Sequence, residues 1–215
     1  NTHSGNLSMT DPDDPDIFYI TASGSQCGAF IPGDIVPLRF SAVSWGDARA
    51  STESTIHRRV LSMGGVGAVL HAHYISSTVI SFDTGDREVF LRSLGTDDRG
   101  REEFMFRPVD YFGAHCAGEV RVASFLQPVG SAEMEERIPA YLEKDRITIV
   151  RGHGSFVRGS SPEEALHFSS VLEQSAGTAV ALARRGVGLR GLGTAITKVG
   201  TEGFFGTGPP AFRDV

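Results

Sequence analysis

Two histidines separated by a single alanine, directly after an apolar run, constrain the fold of this chain more than any other feature of its sequence. His71 and His73 flank Ala72, and the apolar residues before them predict a strand over residues 66–71. Side chains at positions i and i+2 of a strand project from one face of the sheet. Because two neutral imidazoles on one face can share a metal ion, the pattern predicts part of a metal site.

A second apolar run leads to a third histidine. Residues 146–151 predict another strand, and His153 follows it in a glycine-flanked turn. Three histidine ligands leave one coordination position open, as in catalytic zinc sites. The pair at 71 and 73 alone is more typical of ordinary core or surface histidines. The separate turn at 153 and the upstream carboxylate Glu53 favour the metal site.

Composition and charge exclude several classes of partner. The chain has 215 residues, 40% of them hydrophobic and 21% charged, which is ordinary for a globular protein with a sizeable core. Its formal net charge of −6 argues against a broad nucleic-acid surface, and no apolar run is long enough to span a membrane. We therefore expect neither a nucleic-acid nor a membrane partner.

The cysteines and the start of the chain bear on location and boundaries. Cys27 and Cys116 are too few for a disulfide framework, so we expect both to be reduced in a cytoplasmic protein without a secretory signal. The chain begins at Asn1 without a methionine, inside a motif-like segment. We expect residues 1–215 to form one domain, with an N-terminal helical part absent from the chain.

Strand and helix patterns alternate without a regular βαβ rhythm, which predicts a central sheet, largely antiparallel or mixed, with helices on its faces. Further strands are expected over residues 17–21, 34–40, 88–94, 102–109 and 119–125. Helices are expected from the capping serines Ser51 to about residue 63, Ser131 to 144 and Ser161 to 183, with a short helix or turn over 74–82. Pro139 is expected to kink or end its helix early.

Four segments follow one another in a particular order. They are Ser-Gly-Asn-Leu-Ser at 4–8, Thr-Ala-Ser-Gly at 21–24, Ser-Thr-Glu at 51–53, and the three histidines. Their content and order resemble the class II aldolase/adducin family, whose members include fuculose-1-phosphate aldolase and ribulose-5-phosphate 4-epimerase. The resemblance covers most of the chain, from its first residues to the helix after Ser161. It implies an α/β fold of the α+β three-layer type, with a mostly antiparallel or mixed sheet flanked by helices.

The resemblance also implies a metal site and a general acid/base. It assigns a divalent metal ion, zinc or another such as Mn2+ or Co2+, to His71, His73 and His153. As a Lewis acid such an ion stabilises the enediolate of a sugar phosphate. Glu53 matches the acid/base carboxylate of the family, and a carboxylate beside a metal and an apolar wall can have its proton affinity tuned for transfer.

A phosphate cradle and an assembly follow from the same resemblance. Small hydroxyl residues and glycines let backbone N–H groups approach an anion, and a helix N-terminus adds positive potential. A homotetramer acting on a phosphorylated carbohydrate is expected. The positions that match the phosphate-binding residues of the family are Asn6, Ser23, Gly24, Ser51 and Thr52.

The segment at 110–112 leaves two assignments open. Asp110 is in the position of an epimerase aspartate that handles a proton, although its spacing to the following strand is longer. Tyr111 instead resembles an aldolase tyrosine near the substrate. His57, one helical turn after Glu53, is expected to pack or hydrogen-bond beside it rather than bind metal.

The residues support a metal-dependent lyase, an aldolase that cleaves a phosphorylated ketose through a metal-stabilised enediolate. A decarboxylase or a 4-epimerase on a sugar acid or sugar phosphate would use the same metal site, and these alternatives stay open. A non-catalytic adducin-like module is the third alternative. Loss of the metal histidines would be expected in such a module, whereas this chain keeps all three together with Glu53.

Overall fold

The computed structural model describes residues 4–41, 49–83 and 90–188. Within these ranges nine strands form one sheet that is flanked by four α-helices. The strands are β1 Asn6–Thr10, β2 Ile17–Thr21, β3 Ile35–Arg39, β4 Ala68–Ala72, β5 Leu91–Thr96, β6 Glu102–Phe106, β7 Val120–Ala123, β8 Ile147–Val150 and β9 Gly154–Gly159. The helices are α1 Ser54–Leu61, α2 Ile75–Ser81, α3 Ala132–Lys144 and α4 Pro162–Arg184, with a 3-10 turn at Pro32–Asp34 and a π turn at Gly113–Ala117.

The strand order is β3-β2-β1-β4-β9-β8-β7-β6-β5. Every neighbouring pair is antiparallel except β7 with β8, which are parallel and joined by α3 as the crossover. The expected mixed, largely antiparallel sheet is therefore confirmed. The expectation of one domain over residues 1–215 extends beyond the described ranges and stays a prediction.

Apolar side chains of the central strands alternate between two core layers. On β8 and β9, Val150 and Phe156 pack with α1 and α3, whereas Ile149 and Val157 pack with α2 and α4. All four are fully buried, and each such burial contributes roughly 1.5–3 kcal/mol. Because both faces of these strands are buried, the centre of the sheet is a rigid base for the histidines at its edge.

Two expectations about helices are wrong, the start of the first helix at Ser51 and an early end at Pro139, whereas a kink at Pro139 stays a prediction. The first helix begins at Ser54 with Glu53 as its N-cap, rather than at Ser51. The Ser51 hydroxyl is bonded to Asn6, and residues 51–54 form a turn in which Ser54 N donates to Ser51 O at 3.0 Å. Pro139 does not end its helix, which continues to Lys144. Pro139 is buried with Ile138 and Leu142, so packing offsets the one hydrogen bond that proline removes.

Two strands are absent from the sequence prediction. The sequence predicts part of a phosphate-binding loop where β1 forms, at residues 6–10. It predicts the end of a turn where β9 begins, at residues 154–159. Pairing with β4 on both sides decides their structure, through registers such as Asn6 opposite His71 and Ala72 opposite Ser155. The other expected strands form with ends shifted by a few residues, and residues 88–89 of the strand expected over 88–94 lie outside the described ranges.

We predict that His57 makes the protein sensitive to mild acid. Its ring is fully buried, with Nδ1 2.7 Å from Ser8 Oγ, and burial lowers its pKa to about 3. The unfolded chain, with a histidine pKa near 6.5, takes up the proton first as the pH falls. The free energy of unfolding is therefore unaffected by His57 above about pH 6.5. It decreases from there toward pH 3, by at most about 1.4 kcal/mol per pH unit.

Replacing His57 by Gln removes this titration, so the free energy of unfolding should fall less steeply between pH 6 and pH 4. Urea unfolding at several pH values measures the slope. The exposed His115, replaced by Gln, is the control and should leave the slope unchanged. Equal slopes in wild type and the His57 variant would contradict the prediction.

Candidate metal centre

Three imidazoles meet at the edge of the sheet where β4 ends and β9 begins. The Nε2 atoms of His71 and His73 lie 2.7 Å apart. The ring centroid of His153 lies 4.9 Å from the ring centroid of His71 and 4.4 Å from that of His73. One ring nitrogen from each of the three lies within 4.8 Å of the other two. The structure thus brings together all three predicted ligands, with His71 on β4 and His73 just after its last residue.

The tautomer of His71 is fixed by its neighbour on β9. His71 Nδ1 lies 3.0 Å from the Ser155 carbonyl oxygen, which can only accept a hydrogen bond. Nδ1 therefore carries the proton, and the lone pair of Nε2 faces His73. The ring also stacks on Phe156, with centroids 4.2 Å apart and planes at 19°. Such support is typical of histidines that bind metals, because it fixes both the orientation and the donor atom.

All three histidines are held in their neutral form. Burial lowers the pKa of His71 well below 6.5, and the neighbouring His73 and His153 lower it further. Burial lowers the pKa of His73 as well. Burial and the neighbouring His73 lower the pKa of His153 to about 4, although a hydrogen bond with the Pro128 backbone partly raises it. Neutral imidazoles offer lone pairs at neutral pH without first losing a proton.

The donor set fits a divalent metal ion. His153 Nδ1 is buried and has no hydrogen-bond partner among the described residues. His71 and His73 can hydrogen-bond to each other through Nε2 atoms 2.7 Å apart, but the buried nitrogen of His153 has no such partner among the described residues and is left for a ligand. Zinc and related ions accept nitrogen donors and leave a position open when only three protein ligands are present. This supports the sequence prediction for the ligands, and it leaves the identity of the metal open.

Gly154 is required for the close approach of the two strands. A Cβ atom there would lie 2.6 Å from the Ala72 carbonyl oxygen and 2.7 Å from His73 Cδ2. Both distances are shorter than real Cβ contacts allow, so any other residue would displace His73 or the start of β9. The glycine after His153 is thus explained by packing against the ligands rather than by turn geometry alone.

Glu53 lies beside the histidines at the N-cap of α1. Its Oε2 atom is 3.4 Å from His71 Nε2, and the residue is only 5% exposed. Burial raises the pKa of Glu53, and a hydrogen bond from Asn6 opposes that shift. The second oxygen, Oε1, is buried without a partner among the described residues. A carboxylate whose proton affinity is raised and which has one unoccupied oxygen is suited to accept and return a proton.

Asn6 supports Glu53 in this structure. Its Nδ2 group donates to Ser51 Oγ and to Glu53 Oε2, both at 2.9 Å. These bonds use both amide hydrogens, and the remaining Oδ1 atom is an acceptor that would repel a phosphate oxygen. Asn6 can therefore bind phosphate, as predicted, only if its amide gives up one of these bonds.

The other predicted phosphate residues lie on two adjacent turns. An isolated bridge pairs Ala22 with Ala50, and Ser23 N donates to the Arg49 carbonyl oxygen at 2.7 Å. The turn at 23–24 therefore lies against the segment that leads to Ser51. Of the set Ser23, Gly24, Ser51 and Thr52, only Ser51 is buried, and Gly24 has a φ of +76° with open space around it.

Tyr111 and Asp110 lie on different elements from the histidines. Tyr111 leads into the π turn, which packs on α4, and its ring stacks on His115 with centroids 5.8 Å apart. Asp110 accepts hydrogen bonds from Gly113 N at 2.9 Å and from Ser175 Oγ, so it holds the π turn against α4. Roles of either residue in proton transfer or substrate binding stay predictions.

The supporting residues Ser155 and Phe156 were missed by sequence reasoning. The Ser155 carbonyl carries no side-chain signal, and Phe156 is one of several apolar residues in its strand. Only the register of β4 against β9, with His71 opposite Phe156, could have identified them.

We predict one divalent ion per chain and its loss on replacement of His153 by Ala, because two imidazoles alone hold such an ion weakly. Elemental analysis after dialysis against metal-free buffer measures the ratio of metal to protein. The exposed His115, replaced by Ala, is the control and should keep the wild-type ratio. A full equivalent of metal in the His153 variant would remove that residue from the ligand set.

Comparison with known proteins gives the family. The family model for the Class II Aldolase and Adducin N-terminal domain matches residues 1–180. Methylthioribulose-1-phosphate dehydratase of Leptospira biflexa is 26% identical over 181 residues, covering 75% of this chain and 79% of that protein. The same enzyme of Bradyrhizobium sp. is 28% identical over 180 residues, covering 79% and 77%.

Solved structures agree with the family match. The structure of l-fuculose-1-phosphate aldolase from Thermus thermophilus has a TM-score of 0.68 and 28% identity, and the match covers 86% of this chain and 84% of that one. YgbL of Escherichia coli, at 21% identity and a TM-score of 0.69, supports the fold alone. None of the helices among the described residues is long and apolar enough to cross a membrane. The chain belongs to the class II aldolase/adducin family and, at that level, is a divalent-metal-dependent lyase.

Proposed function

We propose that this chain cleaves a phosphorylated ketose by a retro-aldol reaction. The observation that carries the proposal is the buried carboxylate of Glu53, 3.4 Å from the Nε2 atom of a predicted ligand, His71. A divalent ion held by the three histidines, zinc or else manganese or cobalt, would supply a Lewis acid for the negative charge of an enediolate. The carboxylate supplies the group that such a reaction needs for proton transfer.

Glu53 is proposed to transfer the proton at Oε1. Asn6 binds Oε2 at 2.9 Å and so fixes the side chain, while Oε1 is buried and has no partner among the described residues. Burial raises the pKa of this carboxyl, which brings its proton affinity nearer to that of an effective acid/base at neutral pH. In cleavage, the hydroxyl on the carbon that becomes the aldehyde loses its proton to solvent as the C–C bond breaks, and the protonated form of Glu53 would deliver a proton to the enediolate carbon of the fragment that carries the phosphate.

The turns at 23–24 and 51–52 are proposed to hold the phosphate. Ser23 and Thr52 are exposed, and Gly24 leaves its surroundings open to an anion. The chain is acidic overall, so affinity for phosphate has to come from local N–H and hydroxyl donors. Binding energy from this remote group can hold the reacting carbons in place at the histidines.

A dehydratase is the second candidate. Relatives that carry the name methylthioribulose-1-phosphate dehydratase match this chain at 26% and 28% identity over 75% and 79% of its length. Dehydration of a ketose phosphate begins with removal of a proton from the carbon next to the carbonyl, which Glu53 would accept as a base, whereas in cleavage Glu53 delivers a proton to that carbon at the end. The two reactions then differ in which bond breaks, since a hydroxyl group leaves as water instead of a C–C bond opening.

The experiment that separates the candidates incubates metal-loaded protein with a panel of ketose 1-phosphates and identifies the products by mass. Cleavage gives two shorter products, one of which carries the phosphate, whereas dehydration gives one product that has lost water. Turnover of no phosphorylated ketose would contradict both candidates.

A homotetramer and a cytoplasmic location stay proposals. An exposed apolar stripe on α2, next to the histidines, supports self-association because it lacks a cover within the described chain. Its members are Ile75 and Val79 on the helix and Phe82 at its C-cap, which are 80%, 43% and 63% exposed. Cys27 and Cys116 are free, in keeping with the expected reduced state.

We predict that Glu53→Gln lowers turnover by roughly 10²–10⁴-fold and leaves the metal content unchanged, because the amide cannot transfer the proton. Steady-state kinetics and elemental analysis measure the two quantities. The exposed Glu143 on α3, replaced by Gln, should keep wild-type turnover. Turnover of the Glu53 variant within a few-fold of wild type would assign the proton transfer to another group.

We predict that Ser23→Ala raises KM for a phosphorylated substrate and hardly changes the use of its unphosphorylated analogue. The hydroxyl belongs to the proposed phosphate turn and lies outside the bonds that fix Glu53. Kinetics with both substrates, together with competition by inorganic phosphate, measure the effect. Equal use of the two substrates, without phosphate competition, would show that the turns do not bind phosphate.

A further inference from the structure

The first turn of α2 is held by a carboxylate from another helix. Glu173, in the middle of α4, accepts hydrogen bonds from Ser76 N at 2.8 Å and from Ser77 N at 2.9 Å, one on each oxygen. The N-cap residue of α2, Tyr74, makes no side-chain capping bond. The free N–H groups at the start of α2 are thus satisfied by a distant glutamate instead of a local cap.

Other features of α4 serve the same contact. Gly177 lies one turn after Glu173, and a Cβ atom there would be 3.3 Å from Ser76 Oγ. Gly177 therefore leaves room for the Ser76 side chain, while Glu173 accepts a hydrogen bond from the Ser76 backbone. Among residues 4–41, 49–83 and 90–188, the hydrogen-bond partners of the Glu173 carboxylate are these two amides.

The helix that Glu173 holds is connected to two predicted metal ligands. Only Tyr74 separates His73 from the start of α2 at Ile75. The Thr78 hydroxyl donates to the Tyr74 carbonyl oxygen at 2.6 Å and lies 3.5 Å from that of His153.

The same helix also binds the turn that carries His153. Ser81 Oγ accepts a hydrogen bond from Gly152 N at 2.9 Å. The backbones on both sides of the metal centre are thus joined through α2. The third ligand, His71, is positioned independently by the sheet, opposite Phe156 of β9.

We propose that Glu173 is a positioning residue of the metal centre, which acts through α2 to hold His73 and His153 at the distance from His71 that a shared ion requires. The proposal rests on the assignment of the three histidines as metal ligands. Groups beyond the direct ligands influence metal affinity because they fix where the donor atoms point. Glu173 fixes the helix that follows one ligand, His73, and that binds the turn of another, His153.

The test uses the full chain and the metal alone. Wild type, Glu173→Gln and Glu173→Ala are loaded with zinc, and affinity is measured by competition with a chromophoric chelator. Loading with cobalt(II) adds a visible spectrum that reports the coordination geometry. Glu173→Gln keeps the side-chain volume and one acceptor oxygen, so it decides the outcome if the alanine variant does not fold.

Glu164→Gln is the matched control. Glu164 is on the same helix and also accepts a backbone N–H, that of Ser160 at 2.6 Å, just after the end of β9, and within the described ranges it makes no contact with α2 that would position His73. A general loss of α4 stability would affect both variants alike. Thermal unfolding of the metal-free proteins measures that loss separately.

We expect both Glu173 variants to bind zinc about ten- to a hundredfold more weakly and to change the cobalt spectrum, with the alanine variant more affected and Glu164→Gln unchanged. Zinc affinity of Glu173→Gln within about twofold of wild type, or an equal loss in Glu164→Gln, would overturn the proposal. A wild type that takes up no metal would overturn the metal centre itself. Failure to turn over ketose phosphates, with metal binding as expected, would count only against the proposed function.

Discussion

The antiparallel pairing of β4 with β9 is the interaction on which the rest of the site depends. It sets Ala72 opposite Ser155 and brings the end of one strand beside the start of the other. The approach is so close that position 154 has no room for a Cβ atom. The same pairing supplies the Ser155 carbonyl that fixes the His71 tautomer. A shift of this register by one residue would turn His71 of β4 to the other face of the sheet.

The carboxylate of Glu53 depends on a second set of polar contacts, which are buried. Asn6 comes from β1, Glu53 from the start of α1, and Ser51 from the turn before it, so three separate segments meet in one hydrogen-bonded group. Burial makes the ionised carboxylate costly, and the amide of Asn6 offsets part of that cost. Glu53 Oε1 and Asn6 Oδ1 have no hydrogen-bond partner in the described part of the chain. Buried polar atoms of this kind are typical of a functional site, where a ligand can bind them.

Much of the fold and of the ligand set follows from local sequence patterns. Two-residue periodicity places His71 and His73 on one face, and the capping serines Ser131 and Ser161 correctly mark the starts of α3 and α4. The failures share a cause. The Ser51 cap was wrong because residues 51–54 form a turn before the helix, in which the Ser51 hydroxyl accepts from Glu53 N and from Asn6, 45 positions away. Pro139 stays within α3 because its ring packs in the core. Neither contact leaves a trace in the neighbouring sequence.

The sequence by itself determined the chemistry of the donors: three imidazoles, one carboxylate, and turns rich in small hydroxyl residues and glycine, in an order that resembles one family. Only the tertiary structure decided how these groups act together. It showed that the two amide hydrogens of Asn6 go to Glu53 and Ser51, and that Glu173 of α4 holds the helix next to His73. The physical reason is that residue types and periods are local properties, whereas hydrogen bonds between distant segments depend on strand register and helix packing.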